Sequence, residues 1–557
     1  MGNWARRQVL GWLAAGATAP LLGGCAQGFS SRPMDADLQL LYVADTLDAR
    51  EPGWPVVPRV RLGPAGRIGA APWRTGADAA RLAPGLAPLL DASRVDGQRY
   101  GGYAALAAQL AHLRARQGAT RSLTLENGQC WNGSGLTQLT RGEAGVDGSQ
   151  LLGSEARVSS DERLLWPKRS AALYRRYGRP VLGATLTEEQ RSALGVAPFT
   201  LIERDGVRIA LVGVTDPYAS DQQAPLADWY ARLRPVLTEA RGQADLLVVL
   251  ADVGTGPGLW LAERLEEADL LLCARGQDLW PELIPVMRGS GRPLPVCLPG
   301  TRGVGIFEIR CRGGRDGWRL DAVFHPVQAE RVLDRTLLEN YQRQLAVARA
   351  PHAGWLDQRL ARAPVDLWRR DLLGGSWDAL IAAALGGSEA QPVLLPGLRY
   401  DLPLRRGDWI TREHLIALCG GHDATVLELP TTADGLRTLL EEAADNRFGE
   451  PLLLDNSQDL PRLVGAPWSC RYGAPRGQRI PPLQVPLGAA FTCRTFALGP
   501  DLGTGEALWQ RLEAYLRARP ADWGLAPLPV PRLEFIEGHP GWHPLAALRR
   551  RQELAAG

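Results

Sequence analysis

The chain has 557 residues, 45% of them hydrophobic, and 63 Lys and Arg stand against 60 Asp and Glu for a formal net charge of +3. This near balance gives no electrostatic footprint for a nucleic-acid partner. Even without its first 25 residues the chain exceeds 500, which favours two domains or more.

In chain order, Met1–Arg7 forms a short n-region with paired Arg6 and Arg7, followed by an apolar run from Val9 to Leu22 that is too short for a permanent membrane span. The run closes Leu21-Leu22-Gly23-Gly24-Cys25, which reads as a lipobox. Residues 1–25 therefore read as a twin-arginine-like lipoprotein signal, with Cys25 as the lipid attachment point. The expected location is the periplasm, on a membrane face, held by the lipid anchor only; an ordinary secretory signal is the alternative. Seven cysteines follow (Cys130, Cys273, Cys297, Cys311, Cys419, Cys470 and Cys493), with no Cys-x-x-Cys pair and no zinc spacing. An odd number leaves at least one thiol free.

Strand signals begin at Leu38–Val43 and recur at Ser122–Leu125, Phe199–Ile202, Arg208–Val214, Leu246–Leu250, Leu270–Leu272 and Gly305–Ile309. Helical spacing appears at Tyr103–Gln117, Trp229–Arg241 and Leu259–Glu267, and residues 50–97 read as a surface excursion. Such alternation predicts an α/β domain with its active loops at strand C-termini. A charged helical stretch, Asp334–Arg362, suits a linker helix. Beyond it, strands at Pro392–Leu395 and Thr425–Leu429 and helices at Trp377–Leu385 and Leu436–Asn446 predict a separate α+β domain.

Several segments resemble the 5′-nucleotidase family, and most closely its SoxB-type thiosulfohydrolase branch. They are Gly375-Ser376-Trp377-Asp378, Pro396-Gly397-Leu398-Arg399-Tyr400, the helix from Leu439 to Asn446, the offsets of Asp459, Arg462 and Cys470, Arg479-Ile480, and Cys130-Trp131-Asn132-Gly133-Ser134. The resemblance implies an N-terminal metallophosphoesterase-like sandwich domain over 36–330, a linker helix over 331–362, a 5′-nucleotidase-type C-terminal domain over 363–520 and a tail over 521–557. It also implies a pocket that binds an anion through Trp131, Asn132, Arg399, Tyr400 and Arg462.

The family's chemistry uses two divalent metals roughly 3.5–4 Å apart. Its ligand motifs are present here without most of their ligands. Asp45-Thr46-Leu47 keeps the aspartate and puts Leu47 at a histidine position. Gln129 stands where a bridging aspartate belongs, and Gly153-Ser154-Glu155 places Ser154 at the third motif. Asp252 replaces a fourth-motif histidine, and Arg275 and Gln277 replace both histidines of the fifth. A neutral amide cannot bridge two dications, and a guanidinium repels one. Residues 26–345 contain two histidines, His112 and His325, both away from the motifs. The expectation is no cofactor, with Asp45 and Asp252 paired to Arg275. The alternative is a single divalent cation on Asp45, Asp252 and Glu155.

Three further candidates read as follows. Cys130 is either a reactive thiol near Arg275 or a small buried residue. Ser134 lacks a nucleophile elbow. Gly300–Gly305 lacks the Lys-Ser/Thr of a phosphate loop and reads as a plain turn. The implied function is a non-catalytic SoxB-like protein of thiosulfate oxidation that binds a sulfur-carrier protein, a SoxB-type enzyme or a small sulfur or phosphate anion. The competing expectation is a surviving thiosulfohydrolase or nucleotidase with a rearranged mononuclear site.

Overall fold

The computed structural model describes residues 37–54, 61–67, 69–73, 98–222, 225–314, 317–450, 452, 458–485, 490–499 and 505–534. Residues 1–25, which read as a signal ending in Cys25, and most of the tail lie outside the described residues, among which no helix is long and apolar enough to cross a membrane.

The first domain is a mixed α/β sandwich of two sheets. One has four strands in the order Gly317–Pro326, Gly305–Gly314, Asp37–Ala44, Ser122–Asn127. The other has six, in the order Phe199–Arg204, Val207–Val214, Leu246–Ala251, Leu270–Cys273, Pro293–Cys297, Ile284–Met287. The middle four strands of the larger sheet run parallel and both edges are antiparallel. Leu246–Ala251 is buried at every residue, as expected of a parallel strand covered on both faces. Leu40, Tyr42, Leu125, Leu211, Val248, Leu271 and Phe307 belong to one continuous apolar core built on both sheets.

Helix Leu226–Gln243 covers the outer face of the larger sheet through Trp229, Leu233, Leu237 and Ala240. Helix Tyr103–Gln117 matches its predicted bounds, because Leu106, Leu110 and Leu113 recur at helical spacing between Gly102 and Gly118. It packs under the smaller sheet together with Leu338 of helix Arg335–Leu356.

Three expectations change. The linker helix stops at Leu356, and Arg359–Arg362 is instead a strand paired with Trp409–Thr411. The third predicted helix runs Thr255–Ala262, starting four residues early. Pro257 is tolerated in its first turn, where the missing N–H has no acceptor. Finally, the excursion after residue 50 is not all surface. Arg61, Leu62 and Trp73 are buried, and Leu62 joins the core around Leu436, Leu440 and Phe448 of the second domain.

That second domain has a four-stranded sheet in the order Ala424–Thr431, Phe491–Leu498, Val393–Leu395, Arg462–Val464. Helices Ser376–Ala384, Ala433–Phe448 and Leu508–Arg517 pack around it through Trp377, Leu380, Leu440, Phe448 and Leu512.

Candidate active site

Parallel strands of the first domain end on one side, and the loops that follow them face the second domain. Several non-glycine residues there have left-handed backbones: Asp45 (φ 46), Leu47 (φ 51), Arg275 (φ 66) and Gln277 (φ 53). Such conformations cost energy for branched or long side chains and gather at functional sites. Gly128 is also left-handed, and a Cβ there would lie 2.1 Å from Asp45 Oδ1. Its lack of a side chain lets the Gln129 amide donate to that oxygen at 3.0 Å.

The centre of the site is the Arg275 guanidinium. Nη2 donates to Asp161 at 2.5 Å and to Asp252 at 3.2 Å, and Nη1 lies 3.4 Å from Asp216. Three carboxylates from three different strand-end loops thus share one cation. Burial works against ionised Asp161, yet Arg275 and His422 hold its carboxyl well below the usual range. The same carboxylates raise Arg275 despite its burial.

Asp45 does not pair with the guanidinium as expected. Its Oδ1 takes the Gln129 amide, while its buried Oδ2 has no hydrogen-bond partner among the described residues. Burial, with Asp252 beside it, pushes the Asp45 carboxyl up to about 7. Asp252 Oδ1 is likewise buried and without a partner.

Gln129 links the two domains. Its amide donates to Asp161 and to the Tyr400 hydroxyl, both at 2.7 Å, and its carbonyl accepts from Gln277 at 3.2 Å. His422 Nε2 approaches Asp161 at 3.3 Å and Tyr400 at 3.5 Å. A cavity of about 200 Å³ opens onto Arg275, Asp161, Gln129, Tyr400, His422 and Arg399.

Other predicted residues lie elsewhere. Ser154 accepts from Tyr177 at 2.8 Å, and Glu155 pairs with Arg204, so neither joins the cluster. Their loop precedes the short strand Arg157–Val158, whereas the strand-end position belongs to Ser159-Ser160-Asp161-Glu162. The residue this strand end contributes to the cluster is therefore Asp161, seven residues beyond Ser154. Leu47 is buried with the second domain's apolar core, where an imidazole would lack partners.

Trp131 is fully buried and does not line an anion pocket. It donates to Ser149 at 2.7 Å and lies under the Arg157 guanidinium, 3.8 Å from the ring centre. Asn132 is buried at the domain junction and donates to the Gly420 carbonyl at 3.1 Å. Burial and Glu126 raise the Cys130 thiol well above its ordinary value, so it is a core residue and no nucleophile. All seven described cysteines are free and buried.

Arg462 is wrapped by Asp378 and the carbonyls of Leu372, Leu460 and Asp371, and does not reach the cleft. Arg399 lines the cavity, but it is committed to Asp459 at 3.0 Å and to the Gly276 carbonyl at 2.9 Å, with Asp278 at 3.7 Å. Arg370 reaches Asp278 at 2.7 Å and Asp459 at 3.4 Å. These arginines hold both carboxyls below their ordinary range against the opposing effect of burial. Burial and the neighbouring Arg399 in turn bring Arg447 down to about 9.

This donor set does not fit two dications. The bridging position is a neutral amide whose N–H groups are both spent on donation, and a fixed guanidinium occupies the carboxylates that would be ligands. Among the described residues no group of three His, Cys, Asp or Glu is arranged to hold a metal ion. Asp161, Asp216 and His422 were not singled out from sequence. Asp161 stands three residues past Val158, the end of a two-residue strand, and Gly153, where the sequence placed the third motif, is a helix C-cap.

No family model matches the sequence. A segment of 144 residues, 25% of this chain, is 29% identical to the uncharacterized metallophosphoesterase YunD of Bacillus subtilis (strain 168) and spans 31% of that protein. Among solved structures, the sulfate thiohydrolase SoxB of Thermus thermophilus, in complex with glycerol, is 23% identical. The match covers 91% of this chain and 98% of that one, with a TM-score of 0.78. A 5′-nucleotidase precursor, also from Thermus thermophilus, is 17% identical over 90% of this chain and 99% of its own, with a TM-score of 0.64. The fold over nearly the whole chain is therefore that of SoxB and the 5′-nucleotidases, a two-domain metallophosphoesterase-type architecture.

Proposed function

We propose that this protein is a non-catalytic relative of SoxB-type proteins, acting in periplasmic sulfur oxidation and tethered through Cys25. The observation that supports this reading is Arg275 among Asp161, Asp216 and Asp252: one permanent cation stands where the fold's chemistry would call for dications. A buried charge triad of this kind keeps the carboxylates folded without offering a Lewis acid or an activated water. Its role would then be binding. Arg275 and Arg399 are both matched by carboxylates, so the cleft has little unspent positive charge for a free sulfur or phosphate anion. Gln129, Gln277, Tyr400 and His422 are hydrogen-bonding groups suited to a peptide segment, which favours a sulfur-carrier protein as partner.

The test is turnover of an S-sulfonated carrier protein and of bis(4-nitrophenyl) phosphate, alongside pull-down of the carrier. We expect capture of the carrier and no hydrolysis above that of the Asp45→Ala variant. Hydrolysis abolished by Asp45→Ala would overturn the reading. One observation favours the second reading, a hydrolase with a single divalent cation: Asp45 Oδ2 and Asp252 Oδ1 are both buried and without a partner among the described residues. Glu155 is spent on Arg204 and leaves that set.

A further inference from the structure

On the other side of Leu47, a cavity of about 610 Å³ lies between the loop 47–54, the end of helix Arg335–Leu356 and residues 402–417 of the second domain. Its volume falls within the range of small-molecule sites. Leu47, Pro52, Leu402 and Leu404 supply the apolar part of its lining.

Two polar groups facing it are donors without an acceptor. The first is Arg302, whose guanidinium makes no hydrogen bond or ion pair among the described residues. The carboxylates nearest in charge are already committed. Asp48 takes Arg50 at 3.0 Å and the Ser134 hydroxyl at 2.6 Å. Glu413 takes the Gly135 amide at 2.7 Å and Arg349 at 3.1 Å. Asp401 takes the amides of Arg369 at 2.9 Å and Arg370 at 2.7 Å. Burial outweighs all three and lowers the Arg302 guanidinium. Arg302 is also held in a left-handed backbone (φ 58), fixed by donation of its amide to the Asp45 carbonyl at 2.8 Å.

The second donor is His414. Its Nδ1 accepts the Thr411 amide at 3.0 Å as part of a helix cap, so the ring's proton sits on Nε2. Burial, with Arg302 and Arg349 nearby, pushes that ring down to about 4, so it stays neutral and this tautomer is fixed. The rest of the wall is of mixed charge: Arg99, 4.7 Å from the centre of the Trp54 ring, is set against Glu51, Asp357 and Asp408.

We propose that this cavity is a binding site for a small organic oxyanion, a carboxylate or phosphate monoester carrying an apolar body, gripped by Arg302 and the His414 Nε2–H. Two half-buried donors without a protein acceptor face the same cavity, a guanidinium makes a charged acceptor worth more than a neutral one, and the apolar part of the lining suits a body. The site is separate from the Arg275 cleft and does not depend on whether that cleft is catalytic.

The test is calorimetric titration of the full chain with phenyl phosphate and with benzoate, beside inorganic phosphate, acetate and benzyl alcohol. At least one of the two full probes should bind saturably, about tenfold or more tighter than the body alone or the anion alone. Which of the two binds tells a phosphate monoester from a carboxylate. Arg302→Met should weaken binding by about tenfold or more, as expected for one charge-assisted hydrogen bond. His414→Gln, which can keep the cap through its side-chain oxygen, should weaken it less. The surface variant Arg476→Met should leave it unchanged, and thermal midpoints of all variants identify any that misfold. Absence of saturable heat from both full probes, binding undiminished in folded Arg302→Met, or an equal loss in Arg476→Met would overturn the proposal.

Discussion

Two buried ion clusters sit back to back across the domain junction, with opposite compositions. Around Arg275 one cation serves Asp161, Asp216 and Asp252, with Asp45 close by. A few ångströms along the same loop, Asp278 and Asp459 face Arg370 and Arg399, with Arg61 and Arg447 in electrostatic reach. A single tetrapeptide, Arg275–Asp278, supplies the cation to the acidic cluster and a carboxylate to the basic one. The contrast teaches that the first cluster is shaped like a cation site but carries its cation covalently. The second welds the domains, since Arg399 and Arg370 also bond the Gly276 carbonyl.

The strongest way to break this comparison is Arg275→Met. It removes the acidic cluster's cation and strands up to three carboxylates, which should cost about 3–5 kcal/mol by urea unfolding at neutral pH. A loss below about 1 kcal/mol would mean that the triad is not held as described.

Asp45→Asn should act in the opposite direction. The folded-state carboxyl is raised to about 7 from 3.8, so the unfolded chain releases this proton first and stability falls as pH climbs between those values. Removing the charge should therefore stabilise the protein above pH 7 by up to about 4 kcal/mol, and flatten the unfolding midpoint between pH 4 and 7. An unchanged pH profile would remove Asp45 from the acidic cluster's charge balance.

In the basic cluster, Asp459→Asn leaves Asp278 in place, so a smaller loss of about 2–3 kcal/mol is expected. If that loss exceeded the effect of Arg275→Met, the ranking of the two clusters would be reversed. The smallest effect should come from Tyr400→Phe. It deletes the hydroxyl that accepts from Gln129 across the junction, costing about 1 kcal/mol with both ion clusters intact.

Much of the first domain was legible because its strands are buried on both faces and its helices are bounded by glycines. Leu246–Ala251 and Tyr103–Gln117 carry that signal almost unaided. Arg359–Arg362 was read as helix because its strand is short and largely exposed, and its pairing with Trp409–Thr411 is a long-range fact. At the site, Asp45, Gln129, Asp252, Arg275 and Gln277 were legible because each lies within four residues of the end of a recognisable strand. Asp161 follows a strand of two residues, and Asp216 belongs to no motif. His422 and Tyr400 come from the other domain, so nothing in local sequence announces that they meet Asp161 and Gln129. Arg399 and Arg462 carried a motif match but not their partners, and partners decide whether an arginine is available to an anion.

The most direct measurement is elemental analysis of the purified protein after growth with manganese, zinc and magnesium supplied. A guanidinium-filled site predicts less than about a tenth of an equivalent of tightly bound divalent metal. One or two equivalents, lost in Asp45→Ala and Asp252→Ala, would contradict it and return the cleft to hydrolytic chemistry.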